Sequence, residues 1–152
     1  MSIEKTFIMI KPDGIQRSLV GGIISKFENK GLKIIALKMI TLSRPKAEEH
    51  YEEHKGKTFY DPLINFITSG PVIQFVLEGQ NAISIVRKLI GATNPAEAEP
   101  GTIRGDYVLC TTFNVIHASD SPQSAAREIS LFFNEDEIHI YNKNLEDYYC
   151  RT

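Results

Sequence analysis

Short apolar runs closed by turn residues, with segments of helical spacing between them, constrain this chain more than any other feature. Thr6–Ile10 is short enough for a buried strand, and Lys11-Pro12-Asp13-Gly14 closes it with turn chemistry. Ile23, Ile24 and Phe27 then recur at helical spacing over 21–30, with Gly31 placed to end a helix. Residues 33–41 read as a second strand. Arg44-Pro45 opens a charged helix that runs to about Gly56, and Asp61-Pro62 starts another, with Asp61 as N-cap, that reaches Thr68. Residues 72–77 form a third strand, and Asn81 caps a helix whose Ile83, Val86, Leu89 and Ile90 share one face. A β-rich stretch through Asn114–His117 precedes an amphipathic helix that Asp120-Ser121-Pro122 caps and that ends near Phe133. The order β-α-β-α-α-β-α-loop-β-α has too few strands for a doubly wound sheet and predicts a small α/β sandwich, its four-stranded sheet covered by helices.

At 152 residues, with 42% hydrophobic content, the chain is one domain over 1–152 with a core that needs no disulfide or metal. Its net charge of −2 excludes a broad nucleic-acid-binding surface, so any anion site is local. The N-terminal residues show no secretory pattern, and no stretch approaches the ~18–20 apolar residues of a membrane span. Cys110 and Cys150 form neither a disulfide framework nor a metal-finger spacing, which points to a reducing cytoplasm.

Three places offer chemistry. Lys11 sits just beyond a buried strand, where an ammonium can meet phosphate or ribose oxygens; an ordinary turn lysine is the competing reading. His117 ends an apolar strand just before a capped helix, as a fixed, partly desolvated imidazole. Such a ring is a competent phosphoryl acceptor when one nitrogen is free and a carboxylate such as Glu128 holds the other; a structural histidine is the alternative. Arg87, Thr93 and Arg104 bracket residues 92–106, a loop with two prolines and two glycines, and their convergence would suit a polyphosphate.

A rival lies in His50-Tyr51-Glu52-Glu53-His54, which fits the H-x-x-E-H zinc pattern, with two imidazoles four apart on one helix and Glu53 as base. The surrounding Lys and Glu residues read more simply as a solvated helix. Tyr51 and Phe59 flank the end of that helix as core filler or as a face for a base. Neither a Walker loop nor a dinucleotide fingerprint occurs.

Taken together, Lys11-Pro12-Asp13-Gly14, the segment from Thr93-Asn94-Pro95 to Gly101-Thr102-Ile103-Arg104-Gly105-Asp106, and Asn114-Val115-Ile116-His117-Ala118-Ser119-Asp120 resemble the nucleoside diphosphate kinase family, collinearly over roughly residues 5–141. The resemblance implies an α+β, ferredoxin-like sandwich with a four-stranded antiparallel sheet. It also implies transfer of the γ-phosphoryl of a nucleoside triphosphate to a diphosphate in two half-reactions. His117 would be the nucleophile through Nδ1, Glu128 would hold the other side of the ring, Ser119 would support Glu128, and Tyr51 would sit beside the histidine. Lys11 and Asn114 would bind the ribose, Arg87, Thr93 and Arg104 the phosphates, and Phe59 would stack on the base. Mg²⁺ would be held chiefly by phosphates and water, with Asp120 an outer partner.

The implied partners are ATP, GTP, GDP and their deoxy forms, and the implied assembly is a homohexamer in which the loop at 92–106 meets its copies. Phe113 and the tail Tyr148-Tyr149-Cys150-Arg151-Thr152 depart from the family pattern. A non-catalytic nucleotide-binding module on the same fold is the second hypothesis.

Overall fold

The structure is a computed structural model that describes residues 2–144, 148 and 149. In chain order the elements are β1 (Ile3–Ile10), α1 (Pro12–Gln16), α2 (Val20–Lys30), β2 (Lys33–Thr41), α3 (Arg44–His50), a 3₁₀ turn (Glu52–His54), α4 (Tyr60–Ile67), β3 (Pro71–Gln80), α5 (Ala82–Ile90), α6 (Ile103–Tyr107), β4 (Ile116–Ala118), α7 (Pro122–Phe132) and a second 3₁₀ turn (Glu135–Glu137). The strands form one antiparallel sheet in the order β2-β3-β1-β4, a ferredoxin-like arrangement.

β1 is the central strand, and its burial is why residues 7–10 are apolar without alternation. Ile8 and Ile10 join Ile23 and Phe27 of α2 and Val86 and Ile90 of α5 on one face. Phe7 and Met9 join Ala47 of α3, Ile64 and Ile67 of α4, and Phe132 on the other. Side chains opposite one another across an antiparallel pair share a face. Because His117 pairs with Met9, it lies on the α3–α4–α7 side of the sheet.

Several local expectations need correction. The turn at Pro12 is a short helix, α1, with Lys11 at its N-cap and Pro12 in its first turn. The charged helix ends at His50, and Glu52–His54 is a 3₁₀ turn, so His50 and His54 do not share one α-helical face. α4 begins at Tyr60, which puts Asp61 inside the first turn, where a carboxylate favours the helix dipole, rather than at the N-cap. Asn81 does occupy the N-cap of α5, but at φ 53° and with no side-chain cap bond; the Glu4 carboxylate accepts from the Ile83 N–H at 3.2 Å instead. The loop after α5 contains α6, capped by the Thr102 hydroxyl, which accepts from the Gly105 N–H. Helix α7 starts as expected, with a Ser121–Ser124 capping box and Pro122 in its first turn.

In the C-terminal region the Tyr141 hydroxyl donates to the Ile34 carbonyl, while Tyr148 is exposed and Tyr149 lies against Gly31. Cys110 is exposed and free, and Cys150 lies outside the described residues. No helix among the described residues is long and apolar enough to cross a membrane.

Candidate active site

The end of β1, the segment before β4 and the start of α1 are locked together at one bend. Val115 adopts φ 73°, a left-handed conformation that β-branched residues rarely take. Three backbone contacts hold it there. The Val115 N–H donates to Asp13 Oδ2 at 3.0 Å, the Val115 carbonyl accepts from the Lys11 N–H at 2.8 Å, and the Ile116 N–H closes onto the Asn114 carbonyl at 2.8 Å. Gly14 permits the approach, since a Cβ there would fall 2.7 Å from the Ile10 side chain and 3.2 Å from that of Val115. The bend sets Asn114 on one side and His117 on the other.

On the ribbon after the bend, His117 Nε2 lies 2.6 Å from Glu128 Oε2. Glu128 stands on α7 and is almost completely buried, and its Oε1 accepts from the Ser119 hydroxyl at 2.6 Å. Burial alone would raise the Glu128 pKa, but the hydrogen bond and charge of His117, with help from Ser119, outweigh it and hold the carboxyl below its usual range. An ionised carboxylate only accepts, so the proton of a neutral His117 ring sits on Nε2 and Nδ1 keeps its lone pair.

His50, at the end of α3, packs against this pair, its ring centroid 4.8 Å from that of His117 and its Nδ1 3.4 Å from Glu128 Oε2. It is 2% exposed, neither of its ring nitrogens makes a hydrogen bond among the described residues, and burial followed by the charge of His117 pushes its pKa down to about 3. His50 is therefore a neutral imidazole across the physiological range. Arg127 of α7 donates to the His50 carbonyl at 3.2 Å and ties α3 to α7. The Tyr51 ring lies 6.5 Å from that of His117; its hydroxyl is buried, and burial, then the Glu128 charge, raise its pKa and keep it protonated.

His117, Glu128, Tyr51 and Arg127 line a cleft of about 790 Å³. Its cationic end holds three side chains. Lys11 Nζ donates to Asn114 Oδ1 at 2.8 Å, and burial, then the Arg104 charge, lower its pKa to about 8. Arg104, buried on α6, donates to the Ile116 and Gly91 carbonyls while its Nε has no partner among the described residues; burial and the Arg87 charge lower its pKa to about 10. Arg87 donates to the Ala118 carbonyl at 3.3 Å. Thr93 and Asp120 also line the cleft, and the Ser124 hydroxyl, donating at 2.8 Å, holds the Asp120 carboxyl below its ordinary pKa.

Phe59, which also lines the cleft, is 48% exposed, with the His54 ring at 5.2 Å and Lys57 Nζ at 5.6 Å from its centroid. Every residue that the family resemblance assigned to the site lines this cleft except Ser119, which lies behind it against Glu128. Asp13 and Arg127 were not among them, and His50 was considered only as a zinc ligand beside His54. His50 had a faint signal: with Ala47, three positions before it, it interrupts the charged pattern of α3 on the face that proves buried.

The family model described as "Nucleoside diphosphate kinase" matches residues 4–138. The chain is 66% identical over 135 residues to a nucleoside diphosphate kinase of Methanocaldococcus jannaschii, covering 89% of this chain and 96% of that protein. It is 60% identical over 146 residues to one of Archaeoglobus fulgidus, covering 96% and 97%. Among solved structures, a nucleoside diphosphate kinase from Halobacterium salinarum in complex with CDP superposes with a TM-score of 0.96 at 45% identity, covering 99% of this chain and 100% of that one. Matched from end to end at these levels, the chain belongs to the nucleoside diphosphate kinase family.

Proposed function

We propose that the protein acts as a nucleoside diphosphate kinase and moves the γ-phosphoryl of a nucleoside triphosphate to a diphosphate through a phosphohistidine at Nδ1 of His117. The observation that carries this reading is the 2.6 Å contact of His117 Nε2 with the buried Glu128 carboxylate, in a cleft that Arg87 and Arg104 also line while donating to the carbonyls on either side of His117. In the first half-reaction the Nδ1 lone pair attacks the γ-phosphorus and the bond to the bridging β,γ-oxygen breaks, releasing the diphosphate. Positive charge grows on the ring as it does so, and the carboxylate on Nε2–H offsets it. The second half-reaction runs the same step backwards onto a different diphosphate.

Arg87, Thr93 and Arg104 bind the phosphates in this scheme, Lys11 and Asn114 the ribose hydroxyls, and Phe59 offers a π face to the base. Stacking without edge contacts predicts little discrimination among bases. Little covalent work falls to the protein beyond His117, so the rate comes from positioning and from neutralising the transferred charge.

The donor set suits Mg²⁺ in a limited way. Asp120 is the carboxylate beside the phosphate-binding end of the cleft, and it is already engaged by Ser124, so a hexacoordinate ion would be held by phosphates and water with Asp120 outside that shell. When bound, the ion would draw charge from the phosphate oxygens. We also place the chain in a homohexamer, with residues 92–106 at the contacts between copies; light scattering that returned a monomer or a tetramer would contradict this.

To test the reading, the protein is mixed with Mg²⁺ and γ-labelled ATP, freed of nucleotide, and then given GDP. Acid-labile, alkali-stable label that leaves as GTP is expected, and His117→Ala is expected to bind GDP without taking up label. Nucleotide binding without labelling of the unaltered protein would instead favour a non-catalytic binding module.

A further inference from the structure

The sequence singled out His50 as a metal ligand with the wrong companions. Its helix ends at His50, and the fold turns that imidazole toward His117 and Glu128 instead of His54. We propose that His50, His117 and Glu128 form a site for a nitrogen-seeking transition-metal dication such as Zn²⁺ or Co²⁺, and that an ion there disables His117 as a phosphoryl acceptor.

Three observations support the site. One ligand atom from each residue lies within 4.8 Å of the others, and His50 Nδ1 is 3.4 Å from Glu128 Oε2. A tetrahedral ion with bonds of about 2.0–2.1 Å holds neighbouring donors roughly 3.4 Å apart, so the cluster needs adjustments of about an ångström. Second, both His50 ring nitrogens are buried without a hydrogen-bond partner among the described residues, a costly arrangement that an ion would relieve at the nitrogen it binds. Third, there is an entry path: the His117 side chain is 24% exposed at the cleft, and a water from the cleft can fill the fourth position. Two imidazoles and one carboxylate suit zinc and cobalt, whereas Mg²⁺ prefers oxygen donors.

Inhibition follows from proton bookkeeping. In the metal-free ring Nε2 carries the proton, shared with Glu128. An ion that takes the Nε2 lone pair sends that proton to Nδ1 within the same neutral imidazole, with no net proton change. Nδ1 then has no lone pair for the γ-phosphorus. This last step rests on the proposed nucleophile; binding of the ion does not.

The test uses full-length, chelator-washed protein free of nucleotide. Equilibrium dialysis with Co²⁺ should give one ion per chain with the visible absorption of a tetrahedral site, and Mg²⁺ should not displace it. With ¹⁵N-histidine labelling, one equivalent of Zn²⁺ should shift the ring signals of His50 and His117 and leave those of His54 and His139 in place. His50→Phe, which keeps an aromatic ring against Phe7 and Phe132, should lower Co²⁺ affinity at least tenfold while leaving GDP affinity within threefold. Absence of stoichiometric binding, or shifts confined to His54 and His139, would overturn the site. If the site binds, Zn²⁺ should slow labelling of His117 by ATP at least tenfold, and an unchanged rate would overturn the inhibition. Failure of the metal-free protein to label would count against the phosphohistidine and leave the metal arms standing.

Discussion

Raising the pH through the Lys11 transition should weaken nucleotide binding while the fold is still intact. Burial and the nearby Arg104 charge bring this lysine from 10.5 to about 8, so it is about nine-tenths charged at pH 7 and about one-tenth charged at pH 9. An unperturbed lysine would still be almost fully charged at pH 9. If the ammonium is the form that meets the nucleotide, the GDP dissociation constant rises about tenfold over this interval. Two groups coupled to Lys11 keep their charge state there: His50 is neutral above about 3, and Arg104 loses its proton only near 10.

Calorimetric titration with GDP between pH 7 and 9, in buffers of matched ionic strength, reads the effect directly, and Lys11→Arg should remove most of the slope. Stability should move the other way. Between about 8 and 10.5 the unfolded chain holds the Lys11 proton more firmly than the native chain does, so the contribution of this residue to stability rises with pH. A GDP affinity that stays flat from pH 7 to 9 would refute the assignment of Lys11 as a charged ligand of low pKa.

Two further outcomes are expected. Gly105→Ala would place a Cβ 1.9 Å from the Glu99 carbonyl oxygen, forcing the backbone beside Arg104 to shift; a loss of about 1–3 kcal/mol in urea denaturation should accompany weaker GDP binding, and unchanged values for both would show that the loop absorbs the clash. Ser121→Ala removes half of the α7 capping box and should cost about 1 kcal/mol in thermal unfolding, with His117 still labelled by ATP, whereas lost labelling in a folded variant would mean that the cap also sets Glu128.

Much of the fold was legible in local chemistry. The unbroken apolar run at 7–10 reads as a strand buried on both faces, and Ser121-Pro122 announces α7, because those signals reside in adjacent residues. What escaped depends on distant partners. Asn81 looks like a cap, yet the acceptor for the α5 N-terminus is Glu4, seventy-seven positions earlier. The break of the charged helix at His50 has no proline or glycine to mark it; it follows from the packing of that imidazole against Phe7, Phe132 and His117.

The residues that the family resemblance assigned to the site do meet in one cleft, with Ser119 just behind it. The physical couplings among them were not readable. Nothing in Asp13 or Val115 alone reveals that one carboxylate grips the backbone of a left-handed valine about a hundred residues away.

The central place of β1 has a consequence for how the chain is made. This strand leaves the ribosome before either of its partners, residues 71–80 on one side and 116–118 on the other. Its most apolar stretch, Phe7–Ile10, must therefore wait exposed or loosely collapsed while the intervening chain is synthesised, a demand that non-local strand pairing places on folding speed and on protection from aggregation. Glu128 follows later still, so the carboxylate in contact with His117 emerges only after β4. A ribosome stalled before α7 therefore carries His117 without the carboxylate that its ring contacts.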